Sequence, residues 1–260
     1  MKRRWGRVAA IARNDLRLLL TDMSFLIVMT IAPLGFMAFS REAFGLALQS
    51  ASPGVDTSGA AFVVPAGTVL FSGFMVGNIG FWTFREHGWG TWERLRAADV
   101  STGSLMLGKS IVPVLTLVLQ LVVLLGAGVV LFGLEITGTW AAFLVVAAAL
   151  ALMEVALGFM LLALCRSVMQ LNAITNAGTL LLGGLGGAMA PIEMMPGWAQ
   201  SIAPAIPAYW AMKGFRLVTM EGAGVHDVLG PVSVLLAFAV LFGAVALLRF
   251  EVESSKVSWA

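Results

Sequence analysis

The chain has 260 residues, of which 59% are hydrophobic and 12% charged, with a formal net charge of +2. A water-soluble domain carries about 25% charged residues, so a soluble core of this length could not hide so much apolar surface. The solvent for most of the chain must be lipid. Its single cysteine, Cys165, excludes an intrachain disulfide, and the 14 methionines and 16 phenylalanines suit packing in an apolar medium.

Residues 1–22 form the first unit. Within 5–20, Val8, Ile11, Ala12, Leu16 and Leu19 fall near one helical face, with Arg7, Arg13, Asp15 and Arg17 largely elsewhere. That pattern predicts an amphipathic helix lying in the inner membrane interface. Thr21-Asp22 then offers a cap at which the chain restarts as a span. The basic region is too long for a signal peptide and no convincing small-residue cleavage site follows, so a retained first span is expected.

Residues 23–250 are expected to form a six-span transmembrane domain, with 251–260 as a tail. The six apolar segments are 23–40, 62–84, 105–134, 140–164, 171–189 and 228–248. Crossing a hydrocarbon core of about 30 Å takes about 20 helical residues, which each segment supplies or nearly supplies. With the N-terminus inside, 13 lysines and arginines fall in inner segments and 3, Arg41, Lys213 and Arg216, in outer ones. This asymmetry predicts that both termini are cytoplasmic. The outer stretch 41–61 holds Ser52-Pro53-Gly54 and Asp56-Thr57-Ser58-Gly59 and is expected as an exposed loop. The loop around 135–138 and the inner turn 165–170 are short enough to make tight hairpins.

Two connections differ from the rest. The inner segment 85–104 begins Arg85-Glu86-His87-Gly88-Trp89-Gly90-Thr91-Trp92-Glu93-Arg94-Leu95-Arg96, mixing both charge signs with tryptophans and small residues. From Thr91 to Ala98 it is long enough for about two helical turns, with Glu93 and Arg96, and Trp92 and Leu95, three apart on shared surfaces. A short, rigid, amphipathic helix tied to spans on both sides is a device for transmitting force from a soluble motor. The order Arg85-Glu86…Gly90-Thr91-Trp92-Glu93-Arg94-Leu95 resembles the ERERGTLERL-type signature of ABC-2 type transporter permeases, followed by Gly108-Lys109 ahead of the third span. His87-Gly88-Trp89 replaces the usual charged run, and Trp92 stands where an aliphatic residue is typical. The resemblance implies that this segment is the coupling helix, docking on a separate ATP-binding subunit through Arg85, Glu86, Gly90, Thr91, Trp92, Glu93, Arg94 and Leu95.

The outer segment 190–227 is too apolar for an exposed loop and too interrupted by proline for a span. Two short helices separated near Pro204–Pro207 are expected, with Trp198, Tyr209 and Trp210 at headgroup depth. Pro196, Trp198, Pro204, Pro207 and Arg216 resemble a second signature of the same family. It implies a re-entrant hairpin closing the outer end of the pathway, with Pro196, Trp198, Pro204, Pro207 and Tyr209 as gate residues. The resemblance covers essentially the whole chain and implies an all-α membrane fold: six spans, an amphipathic interfacial helix, a cytoplasmic coupling helix and the outer hairpin.

No Walker-type phosphate loop is present, so the chain is not expected to bind ATP in that way or to act as an enzyme. The two histidines, His87 and His226, are far apart and support neither a zinc site nor a nucleophile relay. Glycines 183, 184, 186 and 187 are expected to allow close packing or a helix break. Asn78, Gln120, Glu154, Asn172 and Asn176 are the groups that lipid would penalise, Glu154 most sharply. By analogy with the family, Phe74, Asn78, Phe81, Asn176 and Leu180 are expected on the wall of a substrate pathway, with Glu154 near it.

The expected protein is thus a permease of the bacterial plasma membrane that pairs with a second copy and with two ATP-binding subunits. ATP and magnesium would sit on the latter. Its cargo would be a hydrophobic or amphipathic drug, antibiotic or lipid; no nucleic acid is implied. Alternatives are a permease for polysaccharide or lipid-linked glycan, or an ion-coupled secondary transporter using Glu154.

Overall fold

The computed structural model describes residues 2–21, 23–51, 59–88 and 102–249, which are helices joined by short connections, with no strand among them. The helices are α1 Lys2–Thr21, α2 Ser24–Ala51, α3 Ala60–Gly88, α4 Thr102–Phe132, α5 Trp140–Leu164, α6 Val168–Gly183, α7 Gly197–Ile202, α8 Pro207–Met220 and α9 Leu229–Arg249. Among them α2, α3, α4, α5 and α9 are long and apolar enough to cross a membrane. The segment expected as the fifth span is α6, with 16 residues. That is about 24 Å of helix at 1.5 Å per residue, and the π-helical turn Gly184–Ala188 extends it. The tail after Arg249 lies outside the described residues.

One expected boundary is corrected. The stretch from Arg41 was read as loop, but α2 continues to Ala51. The Arg41-Glu42 pair mimics the end of a span, yet Phe44 beyond it still packs inward. Its ring lies 4.8 Å from that of Phe62 and 6.4 Å from that of Phe36, which holds the extra turns against α3. The turn residues 52–58 lie outside the described residues.

Helix α3 is the central rod. In its apolar window 83% is buried, against 11% for α2 and 22% for α9, whose faces are left for lipid or another chain. It packs against α2, α4, α5, α6 and α8. Close approach to α6 depends on missing side chains. A Cβ at Gly73 would lie 2.9 Å from Thr179, one at Gly77 2.9 Å from Thr175, and one at Gly80 2.7 Å from Leu171. Small residues let helix backbones approach where no hydrophobic force separates helix from lipid. The same register shows that α6 runs antiparallel to α3 along much of its length.

The ends of the bundle are tied by local chemistry. Thr139 caps α5 and accepts from the Ala142 amide, while Ser167 caps α6 and accepts from that of Gln170. At one end the 133–139 connection is laced to α8: Gly138 N donates to Val218 O at 2.9 Å, and Thr139 N to Ala223 O at 3.2 Å. At the other end Phe84, on the last turns of α3, is fully buried among Leu161, Leu162, Cys165 and Leu171. The glycine run behaves as the sequence implied. Gly186 abuts Ala208 and the Tyr209 backbone, and Gly187 turns the chain with φ of 93°.

Three prolines interrupt spanning helices: Pro33, Pro65 and Pro113. Each removes the amide that would bond the carbonyl four residues earlier. For Pro33 that carbonyl belongs to Met29, and Gln120 of α4 donates to it at 2.8 Å. For Pro65 it belongs to Ala61, and it lies 3.2 Å from the Thr219 hydroxyl of α8, whose one proton it shares with Phe215 O at 3.0 Å. Two polar side chains thus replace two missing amides and staple neighbouring helices together. Gln120→Leu should therefore destabilise the protein by about 1–3 kcal/mol, the cost of an orphaned buried carbonyl. In a Pro33→Ala background, where the amide is restored, the same change should cost much less. Unfolding of all four proteins in one lipid or detergent would measure the cycle; equal costs in both backgrounds would refute the exchange.

Candidate functional site

The inner segment is framed by two anchored stems. On one side α3 ends at Gly88, its last turns fixed by buried Phe84. On the other side the start of α4 is locked to α1. A Cβ at Gly108 would sit 2.8 Å from that of Ile11, so the two helices touch there. One residue on, Lys109 Nζ lies 2.8 Å from Asp15 Oδ1, with the two side chains 3% and 0% exposed. Arg85 and Glu86 occupy the final turn of α3 but their side chains are not among those described. Gly90, Thr91, Trp92, Glu93, Arg94 and Leu95 lie outside the described residues.

The buried pair corrects the expected face of α1. Asp15 was placed with the arginines and Leu16 with the apolar stripe, but Asp15 is buried and Leu16 is 42% exposed. Val8, Asp15 and Leu19 share the packed face. The available signal was the spacing 8, 11, 12, 15, 19, which is helical, together with one lysine stranded at the start of a span. An acid on an apolar stripe and a distant lone base are candidates to neutralise one another.

The expected pathway residues fall into three places. Glu154, on α5, is buried and accepts a hydrogen bond from Ser72 Oγ at 2.7 Å. It lines a groove of about 340 Å³ between α3, α5 and α6, walled also by Gly73, Val76, Met153, Thr175 and Thr179. Phe74, Asn78 and Phe81 lie on another face of α3, since at 100° per residue they point away from Gly73 and Val76. Phe74 packs beside Phe71 with centroids 6.0 Å apart, Asn78 is buried, and Phe81 packs against the cluster around Phe84. Asn176 and Leu180 are four residues apart on the exposed side of α6, next to buried Thr175. The structure therefore does not bring the six residues into one cavity of the single chain.

At the end of the bundle where the 133–139 connection meets α8, Pro196 immediately precedes α7, Trp198 is 64% exposed, and Pro207 is the first residue of α8. Trp210 Nε1 donates to the Pro204 carbonyl at 2.8 Å, and Tyr209 meets the Trp210 ring edge-on with centroids 5.3 Å apart. Lys213 lies over the other ring of this pair, Trp210, at 5.3 Å. The expected pair of short helices broken near Pro204–Pro207 is present. Its clasp was not read from the sequence: Arg216 pairs with Glu193 and lies 3.4 Å from Glu221. This closes the 190–196 arm onto α8 beside a second cavity of about 230 Å³ lined by Tyr209 and Gly187. Ile206, Pro207 and Ala208 also line the Glu154 groove, so the hairpin roofs it.

A protein-family model described as ABC-2 type transporter matches residues 7–220, from α1 through the hairpin to the end of α8. The chain belongs to the ABC-2 type transporter family. With its apolar helices this makes it a multi-pass membrane protein. It is also 34% identical over 158 residues to the linearmycin resistance permease protein LnrN of Bacillus subtilis (strain 168). That match covers 61% of this chain and 41% of the relative, so the chain spans well under two thirds of the relative's length. For this ABC-2 family member, the lock beside the inner segment carries a prediction. Asp15→Leu or Lys109→Met alone should destabilise by about 3–5 kcal/mol, as a buried ion pair is broken from one side only. The double variant should recover most of that loss. Thermal unfolding of the four proteins would show it, and purely additive losses would count against a mutual lock.

Proposed function

We propose that the chain is the membrane subunit of an ATP-driven exporter, itself without catalytic chemistry. Two copies would pair with two copies of a separate ATP-binding subunit that holds ATP and magnesium. Nucleotide-driven closure of the motors would push the 85–104 segment, and the push would open the pathway outward. The observation that carries this reading is the framing of that segment. One flank is the central rod α3, and the other, α4, is locked to α1 by Gly108 and the Lys109–Asp15 pair. A helix between two such stems has a rigid path into the bundle on both sides.

The topology proposed has six crossings, with α6 as the fifth, and both termini cytoplasmic. In favour of it, α6 and its π-helical turn carry the chain back along α3 toward the end where α8 is laced to the 133–139 loop. The asymmetry of lysine and arginine gives the orientation. The exposed side of α6, with Asn172, Asn176 and Leu180, is the proposed wall facing the second copy. A hydrophobic or amphipathic compound is the proposed cargo, in keeping with the apolar groove and with a relative named as an antibiotic-resistance permease. An ion-coupled mechanism would need partners for proton relay, and Glu154 is the sole titratable residue lining its groove among the described residues.

Purified alone, the chain should show no ATP hydrolysis; co-expressed with its ATP-binding subunit it should co-purify and hydrolyse ATP. Glu93→Ala with Arg94→Ala should lower co-purification and cargo-stimulated hydrolysis at least tenfold while leaving the permease folded. Unchanged coupling in that variant would remove the docking assignment, and vesicle transport by the lone chain would remove the exporter.

A further inference from the structure

Resting on the reading of the chain as an exporter subunit, we propose that the Glu154 groove binds a cationic amphiphile, an ammonium group carried on a single apolar chain. The groove holds two polar atoms that the protein leaves unanswered. Ser72 satisfies Glu154 Oε1, but Oε2 is buried with no partner among the described residues, and so is Thr175 Oγ1. Both residues line the same groove. Changing the protonation of Glu154 does not remove the deficit. As a carboxylate, Oε2 needs a donor; as an acid whose Oε1–H donates to Ser72 Oγ, its Oε2 carbonyl oxygen still has none.

Among the described residues the lining has no second titratable side chain, and Val76, Met153 and Leu157 make its walls apolar. A buried carboxylate in such walls is costly unless it is paired. An ammonium supplies both the missing charge and N–H donors for the free Glu154 oxygen. Its apolar chain would lie along the remaining wall. At about 340 Å³ the groove is far larger than the roughly 30 Å³ of one water and falls in the range of small-molecule sites. Exposed Ile174 and Leu182 on its edge open it sideways, so a compound dissolved in the bilayer can reach it without crossing a charged mouth.

An aminolipid carries the same ammonium chemistry, but its headgroup sits at the bilayer surface. Glu154 lies near the middle of α5, about 15 Å below that surface in a core of about 30 Å. A single-chain amine can place its head there at lower cost than a phospholipid, which would bring its phosphate too. This favours a cargo over a resident lipid. Ile206, Pro207 and Ala208 of the outer hairpin roof the groove, which sets the bound head directly beneath the element proposed to open outward.

The test uses the full chain in phosphatidylcholine nanodiscs, without nucleotide or the ATP-binding subunit, so its outcome is independent of the coupling assay. The probe is dodecylamine bearing a photoreactive diazirine, with labelled residues found by mass spectrometry. Labelling should centre on Met153, Leu157 and Thr179, and unlabelled dodecylamine should reduce it at least tenfold. Dodecanol at the same concentration should leave it nearly unchanged. Glu154→Gln should lower labelling about tenfold, and Ile174→Trp, which narrows the exposed edge of the groove while retaining the acid, should lower it similarly. Equal competition by dodecanol, or wild-type labelling of Glu154→Gln, would overturn the assignment. Loss of label when phosphatidylethanolamine makes up a tenth of the bilayer would give the groove to lipid and likewise overturn it as a cargo site.

Discussion

A carbonyl released inside a bilayer has no water to turn to, and much of this architecture follows from that constraint. Prolines in three spanning helices each free one such group, and for two of them another helix supplies the donor. Gln120 answers Met29, and Thr219 answers Ala61. These are not polar residues tolerated in an apolar place. They fix α4 against α2 and α8 against α3 at single heights, because a shift of one residue along either helix would break the bond. Lipid gives little help in pressing helices together, so such bonds and close backbone approach set the packing. Gly73, Gly77 and Gly80 supply the close approach on the α6 side.

Seen this way, the polar groups of the spans divide by whether their atoms are answered. Asp15 and Lys109 neutralise each other in a buried contact. The Gln120 amide and the Thr219 hydroxyl close proline gaps. Glu154, like Gln120, has one polar atom answered and one not; what sets it apart is that its free oxygen shares one groove with the unanswered Thr175 hydroxyl. Two unanswered polar atoms on one apolar wall, one of them on a carboxyl group, mark this groove as a place for a ligand. The distinction rests on atoms, not on residue types.

Much of the fold was legible because its signals are local. Apolar runs of span length, the asymmetry of basic residues, the glycine break at 183–187 and the Pro204–Pro207 interruption each sit within one window of sequence. What escaped depends on partners far along the chain. Asp15 and Lys109 are 94 positions apart, and only their contact explains why an acid lies on the packed face of α1. Gln120 and Met29 are 91 apart, and Thr219 and Ala61 158 apart, so neither proline rescue has a local trace. The end of α2 was misplaced because Arg41-Glu42 resembles a boundary, while Phe44 is held by Phe62 across the next connection. The pathway residues were grouped by residue type and helix face without knowing rotation; Phe74 and Asn78 share a side of α3, but Glu154 faces a different one.

The same contacts give the proposed exporter a mechanical route between its ends. Helix α3 has 29 residues and is about 43 Å long, comparable to the bilayer with its headgroups. Its inner end is wedged at Phe84 into the α5–α6 turn and continues into the proposed coupling segment. Its outer end offers the Ala61 carbonyl to Thr219 of α8. A push delivered to α3 from the cytosolic side therefore acts on the helix that carries the hairpin. That hairpin, through Ile206, Pro207 and Ala208, forms the roof of the Glu154 groove, and the Arg216–Glu193 clasp makes its two arms move together. In the proposed exporter, rod, roof and groove would lie along one set of contacts, with the push entering where α3 is wedged at Phe84.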